Sequence, residues 1–413
     1  MSTFEGLSEF EAEDIRAAVA RLNLFVITPL GRSGSMLLQS LFDGHPEAVC
    51  FSEVSQHWRH WPDFQAAGHD ISLWLDRNPS FHDAHDFGDT ESDSGRAMLG
   101  WFVERRAQFE AAFGNAWNAT GDMELFGGRR FVACLAVGLA AIRAQNLETL
   151  RYVVFQQHNH KAMASDAAAM VQDFPDMKVL ATCRHPIESA LSFHTLLKRT
   201  GHASFRNFSR NVRGWSSACW RNLEIASGHF DAARNLRLLD LNNLHGDPEG
   251  NIARLAGWLG IEDHPSLHRS TMFGHDWGGN SADGTPIPTF SAKRSKLAYP
   301  GTVGAEKGLT LTEYQFAERL TRGICKAAGY ADPEAGQRSG LLRGIAILLT
   351  RMEWFRADVI AHDRGLKKLA RRLGIIEVAL VMREMFALSR TRFRDYASLR
   401  LDQPSVRGSS AVE

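Results

Sequence analysis

Neither sign of charge predominates in this chain: Lys and Arg together number 47, Asp and Glu also number 47, and the formal net charge is +0. The positive surplus that a nucleic-acid partner demands is missing, so no nucleic acid is expected. Cysteine is scarce. Cys50, Cys134, Cys183, Cys219 and Cys325 are odd in number, widely spaced and form no CxxC pair. They offer neither a disulfide framework nor a zinc cluster, and a reducing compartment is expected. Long apolar runs are lacking too. The longest near the C-terminus, Ile345 to Leu349, is far short of the about 20 residues that span a bilayer. Met1 to Glu13 has no basic stretch leading into an apolar one, so no signal peptide is expected and the chain reads as cytoplasmic. The pairs His57/His60 and His82/His85, and the His158-Asn159-His160 triplet, lack the further ligands of a metal site; no metal is expected. Finally, no Gly-Lys dipeptide occurs anywhere, which excludes the G-x-x-x-x-G-K-[ST] loop of ordinary P-loop kinases and NTPases.

What is present is a substantial apolar fraction, 44%, distributed as alternating strands and helices. Leu24 to Thr28, Ala48 to Phe51, Tyr152 to Phe155, Lys178 to Thr182 and Leu236 to Leu239 read as buried strands. Helices are expected over Met36–Phe42, Ala162–Phe174 and Pro186–Lys198, and from the Asp247-Pro248 cap to Gly260. This alternation predicts an α/β fold, a doubly wound parallel sheet. Between residues 56 and 150 the pattern changes to helical stretches, Met98–Phe113 and Phe131–Ala144, among Trp-, His- and Asp-rich loops. That segment reads as a mainly helical insertion over the sheet, within a domain spanning 1–335. Its tryptophans, Trp58, Trp61, Trp74, Trp101 and Trp117, suit either sugar stacking or a core. Residues 336–413 carry 15 Lys and Arg against 8 Asp and Glu and step in helical apolar periods, so a basic helical extension is expected. Packing on the main domain, a homodimer contact or peripheral contact with an anionic membrane would each use such helices.

The chemical signal lies between the first strand and the first helix, in Gly31-Arg32-Ser33-Gly34-Ser35-Met36. Glycines let successive N–H groups point inward at an anion, and the helix N-terminus adds partial positive charge. Arg32, Ser33 and Ser35 add donors. A second signal is Arg184, at a strand end, with Ser192 eight residues on in the next helix. A ligand of an open α/β sheet binds at that edge, and both side chains can reach one phosphate there. Arg184 can equally pair with a local carboxylate such as Glu188.

Together these segments resemble the sulfotransferases that use 3′-phosphoadenosine 5′-phosphosulfate (PAPS), in their bacterial and carbohydrate branch. The turn through Gly31-Arg32-Ser33-Gly34-Ser35, then Leu37-Leu38 and Asp43-Gly44-His45-Pro46-Glu47, is similar to the family's 5′-phosphosulfate loop, with Arg32 where many members carry Lys. Arg184 and Ser192 match the 3′-phosphate motif in kind and spacing. Asp247-Pro248-Glu249 and Leu255 to Ile261 resemble a further family segment, whose Tyr-Glu-Asp part is absent before it. Trp277 to Ser281, followed by Lys293, is similar to a loop near the nucleotide. The resemblance implies a P-loop-like fold, PAPS as donor and no metal. It implies an acceptor hydroxyl on a glycan, lipid or small metabolite, with Glu53, just past the second strand, as general base. His158 and His160 are competing bases, and Lys161 can contact the bridging oxygen or the sulfuryl group. A kinase or NTPase on a similar fold, and a non-catalytic nucleotide-binding module, are the alternatives. The absent Gly-Lys weighs against the first, and the intact set Arg32, Ser35, Glu53, Arg184 and Ser192 against the second.

Overall fold

The structure, a computed structural model, describes residues 10–30, 33–51, 57–78, 93–125, 127–157, 160–199, 201, 232–272, 274–276 and 399–401, with isolated positions between 207 and 330. Strands β1 (Asn23–Pro29), β2 (Ala48–Cys50), β3 (Tyr152–Gln156), β4 (Lys178–Cys183) and β5 (Leu236–Asp240) form one sheet in the order β2-β3-β1-β4-β5. Every pairing in it is parallel. The expected doubly wound α/β architecture is therefore present, with strand limits within a residue or two of the apolar runs.

Alternation along β1 explains why helices cover both faces. Leu24 and Val26 join one apolar cluster, Phe25 and Ile27 the other. The second cluster is closed by α2 (Ser35–Phe42) and by the helix Pro248–Leu259. Asp247 caps that helix by accepting from the Gly250 amide at 3.0 Å, and Gly260 ends it in the left-handed region at φ 71°.

The opposite face holds α1 (Ala12–Arg21), α5 (Asp93–Ala119), α6 (Gly127–Ile142) and α7 (His160–Asp173), preceded within the insertion by α3 (His57–Ala66) and α4 (Ile71–Arg77). The helix α1 was not expected; its Ile15, Ala18 and Val19 turn one apolar stripe inward. Helix α6 is buried nearly all round, from Phe131 to Ile142, as befits a helix wedged between the sheet and α5. Gly138 permits that approach, since a Cβ there would meet the Phe109 ring at 2.7 Å. The region 56–150 thus packs on the sheet as well as covering it.

Its tryptophans resolve toward the core. Trp74 is fully buried, and Trp61 stacks on His69 at 5.8 Å while packing against Phe64, Trp117 and Phe131. Trp101 also rests on this cluster. The side chain of Trp58 lies outside the described residues. The four described cysteines, Cys50, Cys134, Cys183 and Cys325, are buried thiols.

The basic extension has three described residues, 399–401. Arg400 makes a parallel bridge to Leu238 on the edge strand β5, and the Leu401 amide donates to the Leu238 carbonyl at 2.8 Å. No described helix is long and apolar enough to cross a membrane.

Candidate active site

Connections leave β1 and β4 in opposite directions, β1 toward β2 and β4 toward β5. The carboxyl ends of these neighbours therefore frame a crevice, the place where open α/β sheets bind ligands. Pro29 and Thr182 are register partners there. The Leu30 amide donates to the Thr182 carbonyl at 2.8 Å, and Ser33 Oγ lies 2.8 Å from Thr182 Oγ1. The turn after β1 is thus stapled to the end of β4.

Gly34 completes the turn in the left-handed region, φ 77° and ψ 23°, and stands at the N-cap of α2. Gly34 itself has no side chain with which to cap the amides of the first turn of α2. Ser35 begins that helix and is buried. A Cβ at Gly34 would also collide with Leu241 Cδ1, which would have to shift. Met36 Sδ sits 2.8 Å from Gln156 Nε2 at the end of β3. Gln39, one turn further along α2, donates to the Phe51 carbonyl, just before the segment that holds Glu53. Gly31, Arg32 and Glu53 themselves lie outside the described residues.

Arg184 follows β4 directly. Its Nε donates to Glu188 Oε2 at 2.8 Å, so it does pair with the local carboxylate. Its outer nitrogens, Nη1 and Nη2, bond no described residue. Glu188 Oε2 also accepts from Asn242 Nδ2 at 2.6 Å. Both partners of the ion pair are largely buried, with side-chain exposures of 12% and 7%. They belong to, or adjoin, α8 (Pro186–Arg199), and Ser192 lies half-buried two turns along it. Beside Arg184, His185 is held neutral; burial lowers its pKa to about 4, opposed by Glu188. Its Nδ1 accepts from the Ile187 amide at 3.3 Å.

His160 and Lys161 occupy the first two positions of α7, just past the carboxyl end of β3; their side chains, and His158 altogether, lie outside the described residues. Trp277 and Lys293 do too. The chain approaching Trp277 forms a short hairpin, Thr271–Met272 against His275–Asp276, and the Gly274 amide donates to Asp43 Oδ2 at 2.8 Å. Asp43 is in turn paired, buried, with Arg143 at 2.7 Å. Among the described residues no three His, Cys, Asp or Glu side chains gather as a metal site requires.

Sequence reasoning missed Thr182, Asn242 and Gln156. Nothing local marks them; each acts on a residue far away in the chain, and the polar type at the end of a buried strand is the one signal for Thr182 and Gln156. It had likewise assigned no role to Asp240. Its Oδ1 caps the next helical turn, α9 (Leu241–Gly246), by accepting from the amides of Asn242 at 2.8 Å and Asn243 at 3.3 Å. Its Oδ2 accepts from Tyr330 and faces Arg400 Nη2 at 3.9 Å. Burial raises the Asp240 pKa against these partners.

A comparison with curated proteins gives no match. Among solved structures, the chain is similar to a sulfotransferase domain from the curacin biosynthetic pathway, at 15% identity and TM-score 0.38, covering 76% of this chain and 99% of that one. It is similar to the sulfotransferase domain of the Synechococcus PCC 7002 olefin synthase at 14% identity and TM-score 0.38, covering 71% and 93%. A sulfotransferase from Mycobacterium avium aligns at 12% identity and TM-score 0.32, covering 62% and 70%. The profile of the sulfotransferase family matches residues 25–265, more than half the chain, from within β1 to just past the helix Pro248–Leu259. The chain belongs to the sulfotransferase family.

Proposed function

We propose that this sulfotransferase takes PAPS as its donor and transfers the sulfuryl group to a hydroxyl of an acceptor, a glycan, lipid or small metabolite. One observation carries the reading. Two groups suited to anions stand at the carboxyl ends of neighbouring strands: the α2 N-terminus, entered through left-handed Gly34 after β1, and Arg184, directly after β4, whose outer nitrogens bond no described residue. A donor with phosphates at both ends needs two such groups, tied in fixed relation. The Leu30–Thr182 and Ser33–Thr182 bonds supply the tie.

In this reading the turn from Gly31 to Met36 holds the 5′-phosphate side, and Arg184 with Ser192 holds the 3′-phosphate. Trp277 and Lys293 line the nucleotide. The acceptor oxygen attacks sulfur, the bond from sulfur to the bridging oxygen breaks, and the electron pair leaves on the nucleotide phosphate. Arg32 and the turn amides neutralise that charge, preorganised before reaction. Glu53 takes the acceptor proton; His158 and His160 are the competing bases, and Lys161 a contact to the bridging oxygen or the sulfuryl group.

Calorimetry tests the donor. Adenosine 3′,5′-bisphosphate is expected to bind roughly 10–100-fold tighter than ATP, because a charge-assisted contact to the 3′-phosphate contributes about 1.5–3 kcal/mol. Arg184→Ala erases the preference. Equal binding of the two ligands by the wild-type protein overturns the assignment. Sulfate-labelled PAPS with candidate acceptors, read by mass spectrometry, identifies the acceptor.

A further inference from the structure

The turn after β5 touches both halves of the crevice. Leu241 packs over Gly34, and Asn242 reaches Glu188 at 2.6 Å. Glu188 Oε2 is the same atom that accepts from Arg184 Nε at 2.8 Å. That oxygen is therefore pinned from two sides, by a donor 54 residues away on another element and by the arginine four residues before it. A guanidinium held at Nε has its plane fixed and presents its outer N–H groups as a fork. An unanchored Glu188 would swing with Arg184 as a unit, and the fork would lose its aim.

Asn242 is itself fixed from behind. Its amide donates to Asp240 Oδ1, while Asp240 Oδ2 is taken by Tyr330 and faces Arg400. The polar chain therefore runs from residue 400 at the sheet edge, through Asp240 and Asn242, to Glu188 and Arg184.

We propose that Asn242 is a positioning residue for recognition of the second phosphate: through Glu188 it aims the outer nitrogens of Arg184. This rests on the donor reading above. Asn242 touches no ligand in it; the effect passes through two intermediate side chains, and its signature is selectivity rather than overall affinity.

The test is the ratio of dissociation constants for 5′-AMP and adenosine 3′,5′-bisphosphate, which differ by the 3′-phosphate alone, measured by calorimetry on the full chain. Asn242→Ala is expected to lower the ratio about tenfold, the loss of one hydrogen bond to a charged group, while the 5′-AMP constant stays within about twofold. Asn242→Asp, of the same shape, sets a carboxylate against Glu188 and lowers the ratio at least as far; it carries the test if the alanine variant does not fold. In an Arg184→Ala background neither change has further effect on the ratio. A wild-type protein without preference for the bisphosphate sinks the donor reading itself. A wild type that prefers it, with the preference lost in Arg184→Ala but kept in both Asn242 variants, overturns the positioning role alone. So does an equal loss of affinity for both ligands, which marks a structural defect.

Discussion

Replacing Gly34 by alanine strikes the turn at its tightest point. The residue stands at φ 77°, a conformation that costs an L side chain about 1–2 kcal/mol. The added methyl also lands on Leu241, whose Cδ1 it would overlap and whose Cδ2 it would meet at 3.0 Å. Forcing a packed neighbour aside costs about 1–3 kcal/mol more. Gly34→Ala is therefore expected to destabilise the protein by about 2–5 kcal/mol, read as the shift in urea midpoint. The two costs separate in a double-mutant cycle. Leu241→Ala alone costs about 2 kcal/mol in lost burial. Combined with Gly34→Ala it removes the overlap but not the backbone strain, so the double variant is less destabilised than the sum by about 1–3 kcal/mol. Additive losses would show that Leu241 is not what the methyl meets. A Gly34→Ala midpoint equal to the wild type would refute both parts of the argument.

Two further outcomes follow from the site. The pKa of His185 falls from 6.5 to about 4 on folding, so the unfolded chain binds the extra proton between those values; His185 contributes stability above about pH 6.5 that is lost as pH falls toward 4. The wild type is expected to lose up to about 3 kcal/mol more than His185→Gln across that window in paired denaturant titrations, and parallel curves would exclude the effect. Glu53→Gln is expected to slow sulfuryl transfer by about 10²–10⁴-fold with little change in bisphosphate affinity; turnover near the wild-type rate would pass the role of base to His158 or His160.

Much of this architecture was legible because its causes are local. Five apolar runs became five parallel strands, and the Asp247-Pro248 and Gly260 signals bounded their helix as written. The turn at Gly34 and the spacing of Arg184 to Ser192 were visible for the same reason: each is set by a few consecutive residues. What escaped depends on long-range pairing. Four of the six residues of helix α9 are Asn, His or Gly, poor helix formers, and it exists because Asp240 caps it and Leu244 is buried. The sharing of Glu188 by Arg184 and Asn242 joins side chains on different elements, and no spacing announces it. The choice for Trp61, Trp74, Trp101 and Trp117 between stacking platform and core was likewise open until the aromatic cluster around Phe64 and Phe131 had its geometry.

The pairing of residues 399–401 with β5 also sets an order of events during synthesis. The edge of β5 is complete in the nascent chain long before its cover, since about 160 residues separate Asp240 from Arg400. At roughly 5–20 residues per second, ribosomes need roughly 8–30 s to make that stretch. Through that interval Leu238 lacks the backbone partner that Leu401 supplies and Asp240 lacks its guanidinium. An open strand edge is a template for another chain, and polysomes crowd several copies of the same edge together. The slower that stretch is translated, the longer Leu238 and Asp240 wait for these partners.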